Sequence, residues 1–388
     1  MLDPGYLDRL AEDIIVLYSR LDESIALDIA RRLVKNSGRL TNTALWQIKQ
    51  IQEAGVLYED VLRMVSRYVG ASERELARIF RDAAAEAVEF DSCIYEAAGL
   101  TPVPVRQSPA MMQALKAGLQ KTNASVKNLT ATTAKAAQQT YLNACNLAYM
   151  QVTSGAFDPA SAVRNAIRQA QKSGGVVTYP SGHRDRLDVA IRRSVMTGVA
   201  QTCGEISKTN AEGMGCDLME ITAHSGARPS HAMWQGRIVS LSGREGYLSL
   251  HDIGYGDAGG FQGCNCRHDW YPFFEDVSAR AYTETALRRM EESAVDYKGE
   301  KIPRYQATQM QRAMEREIRA AKREAAALDA AMQEAEKRGK TELLAGLRVD
   351  HGQAAQKVKQ KQDKLKDFIE KTGLRQDSSR TFVSGYGR

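Results

Sequence analysis

The sequence has no long apolar run and few cysteines for its length. No stretch of about 18 consecutive apolar residues occurs in the 388-residue chain, so the sequence predicts no membrane-spanning helix. The N-terminal segment carries acids where a secretion signal would carry basic residues, which predicts synthesis in the cytoplasm without export. Six scattered cysteines do not form a secreted disulfide framework, so reduced thiols or a metal site are expected.

Several sequence motifs of enzymes and of sequence-specific DNA-binding proteins are absent as well. The chain has no GxxxxGK[ST] phosphate loop, no HExxH motif and no GxSxG motif. The glycine-rich run GYGDAGGFQG at 254–263 opens no predicted helix, so it is typical of a sharply turning loop and not of a phosphate cradle. Without a helix-turn-helix or zinc-finger signature, we expect no sequence-specific reading of DNA bases.

Positive charge is concentrated in two blocks of the chain. The formal net charge is +6, and residues 101–200 hold 12 Lys and Arg against 3 Asp and Glu. Residues 281–388 hold 23 against 17, whereas residues 1–280 balance at 30 against 30. Such blocks suit contact with a polyanion or an acidic protein, although solvated helix faces show such charge more often.

Helical periodicity covers most of the chain. Apolar residues recur at three- and four-residue steps from Leu7 to Leu21, which predicts a helix over 6–35 that the sequence NSG ends. A second amphipathic run spans 42–68. Ser72, followed three residues later by Glu75, matches a capping box and predicts the start of a third helix.

Prolines interrupt this helical pattern near residue 100. The segment TPVPVRQSP has prolines at 102, 104 and 109, which predicts a boundary or a rigid connector. Helix returns over 110–172, where Asp158 before Pro159 marks a helix start. Beyond residue 284, two long charged helices joined near RGKTELLAG predict a helical hairpin. Its second helix has few large apolar groups, so we expect it to need a partner surface to be fully ordered.

Between these helical regions the sequence has short β-rich runs. GGVVTYPSG, CDLMEITA and GRIVSLSG are bounded by turn residues, and a helical segment lies between the first two. The sequence therefore predicts an α+β protein that is predominantly α-helical. We predict four parts, which are an N-terminal helical region (1–100), a central basic helical segment (110–173), a compact α+β module (174–280) and a C-terminal charged helical hairpin with its tail (281–388).

Cysteine and histidine are concentrated in QGCNCRHDW at 262–270. If residues 264–268 form a strand, its period of two places Cys264, Cys266 and His268 on one face. Zinc takes four such ligands in a tetrahedron, although cysteines separated by a single residue are uncommon in zinc sites. Histidines upstream offer a fourth ligand, namely His224, His231 and His251.

Other interpretations of this cluster are open at the level of sequence. The cysteines could fill a tight glycine-rich corner as small apolar groups. Cys266 with His231 or His268 could form a thiolate and imidazolium pair, although no third orienting group is evident. A metal-dependent hydrolase or nuclease that uses His231, Cys264, Cys266 and His268 is the alternative function.

Two segments form a long paired motif. They are ITAHSGARPSHAMWQGRIVSLSG at 221–243 and GYGDAGGFQGCNCRHDWYPFF at 254–274. The pair resembles the signature of the phage minor capsid protein family, which is related to the Mu-type (F-like) head morphogenesis proteins. The matching positions are Arg228, Pro229, His231, Trp234, Gln235 and Gly236 in the first segment, and Asn265, Cys266, Arg267 and His268 in the second.

This resemblance implies a virion component and no enzyme. It implies a minor structural protein of the phage head, made in the host cytoplasm, associated with the portal vertex and acting in head assembly, DNA packaging or DNA ejection. The partners implied are the portal protein, other head proteins and, without sequence specificity, packaged double-stranded DNA. From the residue types, we expect Arg228, His231, Trp234, Asn265 and Arg267 to join two distant loops, with or without zinc.

Overall fold

The computed structural model describes residues 6, 12–39, 43–179 and 181–386. The described residues do not include Leu7 and Leu10, which belong to the first predicted helix. They also do not include Asn42, where the second predicted helix starts. The α-helices are α1 (Glu12–Asn36), α2 (Thr43–Ala97), α3 (Pro109–Ala131), α4 (Thr133–Thr153), α5 (Pro159–Ser173), α6 (Leu187–Gly213), α7 (Pro229–Ala232), α8 (Glu284–Glu291), α9 (Arg304–Lys337) and α10 (Thr341–Thr372). Short 3-10 helices span Ser37–Arg39, Val105–Gln107 and Ser378–Thr381. The predicted fold class, predominantly helical with a minor β part, is confirmed.

Short antiparallel strands complete the fold. The strands are β1 (Val176–Thr178), β2 (Arg184–Arg186), β3 (Leu218–Ile221), β4 (Ile238–Ser240), β5 (Trp270–Phe273), β6 (Ala294–Tyr297) and β7 (Glu300–Pro303). β1 pairs with β2, β6 pairs with β7, and β3 lies between β4 and β5. Three of these strands coincide with the β-rich runs predicted from the sequence.

The helix ends near prolines follow the local sequence rules. The proline-rich segment after α2 contains no α-helix, and Pro109 is the first residue of α3, where its missing N–H removes no helical hydrogen bond. The side chain of Asp158 accepts a hydrogen bond from the backbone N–H of Ser161 at 2.8 Å and caps α5. The interruption of the helical pattern and the helix start at Asp158 are confirmed.

One local prediction is wrong and another is incomplete. The capping box at Ser72 starts no helix, because Ser72 lies buried inside α2 and the buried apolar face continues past it at Leu76 and Ile79. The helical sequence expected beyond residue 284 is interrupted between 294 and 303, where β6 and β7 form a hairpin. Lys298 and Gly299 have φ of 54° and 85°, as a two-residue type I′ turn requires.

The chain divides into two compact units, each assembled from three segments. Unit 1 contains the described residues of Met1–Ile14 together with Ser72–Val126 and Ile191–Gln309. Unit 2 contains the described residues of Ile15–Ala71, Lys127–Ala190 and Met310–Arg388. Whether the four parts named from the sequence fold independently stays a prediction.

Unit 1 contains the three-stranded sheet and an aromatic core. Each residue of β3 and β5 is buried or nearly so, and the core beside the sheet includes Trp234, Phe261 and Trp270. The side chain of Trp270 donates a hydrogen bond to the carbonyl oxygen of Gly204 at 3.0 Å, so its polar atom is satisfied inside this core.

Unit 2 contains α10, the helix expected to need a partner surface. Its large apolar side chains Val358, Leu365 and Phe368 are at most 4% exposed within this single chain. α10 packs beside α5, where Arg168 contacts Asp350 at 2.7 Å. Burial by the chain itself supplies the hydrophobic stabilisation, so the expectation of a required partner is wrong. Among the described residues, no helix combines the length and apolarity needed to cross a membrane.

Candidate functional site

The sheet of unit 1 brings the two motif segments together. Ile221 at the end of β3 pairs with Trp270 at the start of β5. Just beyond this pair, the backbone N–H of Thr222 donates to the carbonyl oxygen of Asp269 at 2.8 Å. The Asp269 N–H in turn donates to Thr222 Oγ1 at 2.9 Å. These bonds hold the residues that follow β3 against those that precede β5.

The CNCRH segment is not the regular strand on which one prediction rested. β5 begins only at Trp270, and Asn265 has a φ of 59°, in the left-handed region that Asn tolerates better than most residues. This conformation breaks the alternation of side chains. Cys266 and His268 are buried, whereas Cys264 is half-buried and lies outside the cluster.

Three buried side chains of the motif converge on one point. Ligand atoms of His231, Cys266 and His268 all lie within 4.8 Å of one another. The Sγ atom of Cys266 is 3.8 Å from His231 Nδ1 and 3.5 Å from His268 Nδ1. Of the four ligands predicted from the sequence, the structure therefore assembles three and leaves out Cys264.

The other ring nitrogen of each histidine has an oxygen partner. His231 Nε2 is 2.9 Å from the carbonyl oxygen of Gly259, and His268 Nε2 is 3.2 Å from Gln235 Oε1. These oxygens accept hydrogen bonds and cannot donate them, so the partners assign the N–H to Nε2 in both rings. The unprotonated Nδ1 atoms of both neutral rings therefore face the sulfur of Cys266.

Aromatic packing fixes the positions of these rings. The ring of Trp234 lies 4.4 Å from that of His231 and 4.8 Å from that of His268. His224 stacks on His268 with 4.5 Å between ring centroids, and its backbone N–H donates to Gln235 Oε1 at 3.2 Å. With rings held on several sides, the imidazoles keep one orientation.

Burial keeps the cluster uncharged at neutral pH. Loss of hydration lowers the pKa of His231 and lowers that of His268 to about 2, and it raises the pKa of the Cys266 thiol. The nearby Arg228 guanidinium further lowers the pKa of both histidines. A preformed thiolate and imidazolium pair is therefore disfavoured, which argues against the nucleophile interpretation.

The remaining motif residues shape the backbone around the cluster. Arg228 donates a hydrogen bond to the carbonyl oxygen of Cys264 at 3.0 Å and so joins the two motif segments. Gly236 has a φ of 66°, and a Cβ there would lie 2.6 Å from Leu287 Cδ2. Arg267 is half-buried, whereas Asn265 and His251 are exposed.

Some contributors to the site carry no sequence signal. The carbonyl oxygens of Gly259 and Gly204 act through the backbone, so residue type could not identify them. Phe261, whose ring lies 5.7 Å from that of Trp234, was visible only as one apolar residue in a glycine-rich loop. The sequence motif therefore identified the polar centre of the site together with Arg228, Trp234 and Gln235, and it missed the backbone carbonyls and Phe261.

The comparisons with known proteins agree with the paired motif. Residues 2–370 match the model of a family described as Phage minor capsid protein 2. A curated protein described as a structural protein, from Lactococcus phage LL-H, is 26% identical over 290 residues, which are 71% of this chain and 75% of the relative. No solved structure shows a significant match. A family match over nearly the whole chain confirms the resemblance found in the sequence, and the chain belongs to the phage minor capsid protein 2 family.

Proposed function

We propose that this chain is a minor structural protein of the phage head, associated with the portal vertex and acting in head assembly, DNA packaging or DNA ejection. The family match over residues 2–370 carries this proposal. The family resemblance of the paired motif also implies association with the portal vertex. Other head proteins, the portal protein and packaged DNA are the proposed partners, and the virion is the proposed location.

The buried motif supports a structural role without turnover. His231, Cys266 and His268 are each at most 8% exposed, and their polar atoms contact one another or neighbouring oxygens. A hydrolase or nuclease needs a group that can reach its substrate, whereas these side chains face the core. The geometry therefore favours the scaffold over the metal-dependent enzyme.

The exposed face of α10 supplies a surface for an acidic partner. Lys359, Lys364 and Lys366 are exposed on this helix, and the Lys366 side chain is 75% exposed. Lys366 lies 3.8 Å from Glu370. Because solvent-exposed ion pairs are weak, the positive charge of Lys366 stays available to a binding partner. DNA phosphates or an acidic face of a head protein would both be attracted by these exposed cations.

The test is complementation of a phage that lacks the gene. Heads are purified from cells that supply the wild-type chain, the triple variant K359E/K364E/K366E or the charge-preserving control K359R/K364R/K366R. We expect wild type and the control in heads together with the portal protein, and we expect the charge-reversed variant to be depleted at least about tenfold through loss of salt-sensitive contacts. Normal heads that never contain the wild-type chain would refute the structural role.

A parallel assay separates the enzyme from the scaffold. The purified chain is incubated with supercoiled DNA and either Zn²⁺ or Mg²⁺, beside the variant His231→Ala. The proposal predicts no nicking above the background of a mock purification. Nicking by the wild type that the variant lacks would favour the nuclease.

A further inference from the structure

We propose that His231, Cys266 and His268 bind a transition-metal ion of the zinc class, with His231 Nδ1, Cys266 Sγ and His268 Nδ1 as ligand atoms. The inference concerns the interior of unit 1 and stands apart from the proposed role in the head. It rests on the separations of the ligand atoms, on the number of protons available to them and on the partners of the outer ring nitrogens.

The two sulfur–nitrogen separations are close to those around a tetrahedral ion. With Zn–S near 2.3 Å and Zn–N near 2.0 Å, a sulfur and a nitrogen on one tetrahedral zinc lie roughly 3.5 Å apart. The Cys266 sulfur lies 3.5 Å from one Nδ1 atom and 3.8 Å from the other. The three ligand atoms lie within 4.8 Å of one another, so an ion at their centre would draw the two imidazole rings closer together.

Without an ion, the cluster has too few protons. Both Nε2–H groups already donate, to Gly259 and to Gln235, so the two Nδ1 atoms facing the sulfur are acceptors. Among the described residues, the Cys266 thiol is the one donor that contacts both nitrogens, and its proton can satisfy one nitrogen at a time. A buried acceptor without a donor is unfavourable, and a bound cation would satisfy both nitrogens and the sulfur at once.

The outer hydrogen bonds are those that metal-binding histidines use. A ligating imidazole commonly donates its other N–H to a carbonyl or carboxylate oxygen, which fixes the tautomer and orients the lone pair toward the ion. Both rings have this arrangement here, and each is also packed against Trp234. One thiolate and two imidazoles form a soft to borderline donor set that suits zinc better than magnesium or calcium.

A fourth position is available beside these ligands. His224 stacks on His268, and its Nε2 atom is buried without a hydrogen-bond partner among the described residues. His224 is not one of the three converging side chains, so either its ring turns to reach the ion or a water molecule completes the tetrahedron.

Two close controls lie outside the site, namely half-buried Cys264 and exposed His251.

The experiment measures the metal content of the full-length chain. The wild type and the variants C266S, H268Q, C264S and H251Q are purified without chelator and analysed by inductively coupled plasma mass spectrometry. We expect about one zinc per chain in the wild type, C264S and H251Q, and less than about 0.2 in C266S and H268Q, since loss of one of three protein ligands removes most of the affinity. Circular dichroism shows whether each variant is folded.

A second measurement needs no substitution. Wild-type chain stripped with a chelator is titrated with Zn²⁺ and melted, and Co²⁺ replaces Zn²⁺ to reveal a thiolate-to-cobalt absorption band. We expect the ion to raise the melting temperature by about 5 °C or more, because it binds the folded state alone. A wild type that purifies without metal and neither gains stability nor shows the cobalt band would overturn the proposal. So would equal zinc in C264S and C266S.

Discussion

At the scale of single residues, His231 links the two halves of the motif. Its Nε2–H bonds the glycine-rich loop at Gly259, its Nδ1 faces Cys266, and its ring packs on Trp234. It is 2% exposed, so none of these contacts is replaced by water in the folded chain. Because this one side chain contacts both loops, its removal should lower the free energy of unfolding by more than the loss of a single contact would.

We therefore expect His231→Ala to destabilise unit 1 by about 2–4 kcal/mol, through a lost buried hydrogen bond and a cavity beside Trp234. Chemical denaturation followed by tryptophan fluorescence measures the free energy of unfolding, and limited proteolysis locates the cleavage. The matched control is His251→Ala, at an exposed histidine that should change stability by less than about 0.5 kcal/mol. An unchanged midpoint for His231→Ala would contradict the linking role.

Glu23 makes the stability of unit 2 depend on pH. It is 4% exposed, and loss of hydration raises the pKa of its carboxyl to about 7, although Ser19 donates a hydrogen bond to it at 2.9 Å. The folded state therefore holds a proton that the unfolded state releases near its ordinary pKa of 4.5. The resulting stability is complete below that value and is lost as the pH rises through about 7.

We expect Glu23→Gln to remove this dependence. The variant should gain about 1–3 kcal/mol over the wild type at pH 8 and should differ little from it at pH 4.5. Urea denaturation at the two pH values measures the difference. Asp158→Asn, at an exposed helix cap, is a control for a carboxylate whose pKa is lowered instead. A wild-type advantage at pH 8 would show that Glu23 is stabilised as the anion.

At the scale of elements, ion pairs join the helices of unit 2. Asp188 in the first turn of α6 is 1% exposed and lies 3.1 Å from Arg323 and within hydrogen-bond distance of Arg319, both on α9. The two guanidiniums hold the pKa of this carboxyl below its usual range despite its burial. Arg323 also lies 3.8 Å from Asp22 on α1. Three helices therefore share one buried charge network.

Removing the central charge should be strongly destabilising. We expect Asp188→Asn to lower the free energy of unfolding by about 3–5 kcal/mol, because two buried guanidiniums lose their shared counter-charge. Glu212→Gln on the same helix is the control, since Glu212 is 53% exposed and pairs with Lys208 at the surface. That substitution should cost at most about 1 kcal/mol. Similar losses for the two variants, measured by urea denaturation, would show that the buried network adds nothing.

At the scale of the whole molecule, the C-terminal hairpin is part of a folded unit and not an appended arm. α9 and α10 belong to unit 2, where they bury Ile318, Leu328 and Phe368 and where Asp350 pairs with Arg164 at 3.1 Å. Docking functions of the hairpin are therefore tested better by surface substitutions than by truncation.

Deleting residues 305–388 should unfold the rest of unit 2. We expect α1, α4 and α5 to lose their protection from hydrogen exchange in the truncated chain. α5 loses its packing against α10, α4 packs on α5, and α1 loses its contacts with Arg323 and Lys340. Mass spectrometry of the exchanged chain measures this loss peptide by peptide. The K359E/K364E/K366E variant is the control that should keep wild-type protection. Protected α1, α4 and α5 in the truncated chain would show that they fold without the hairpin.

Local sequence determined most helices, several of their ends and two strands, β3 and β4, of the three-stranded sheet. Apolar residues at three- and four-residue steps can be buried together only on a helix, and Asp158 before Pro159 satisfies a helix start whatever surrounds it. The paired motif also sufficed to identify the family, because its residue types and spacing are specific over many positions.

Tertiary structure decided what local rules could not. Ser72 lies inside a helix because burial of the apolar face on both sides of it outweighs a local cap. Cys266 is at the cluster and Cys264 is not, because the left-handed backbone at Asn265 breaks the alternation that a strand would give. The grouping of six separate segments into two units is likewise invisible locally, since it depends on which distant apolar faces pack together.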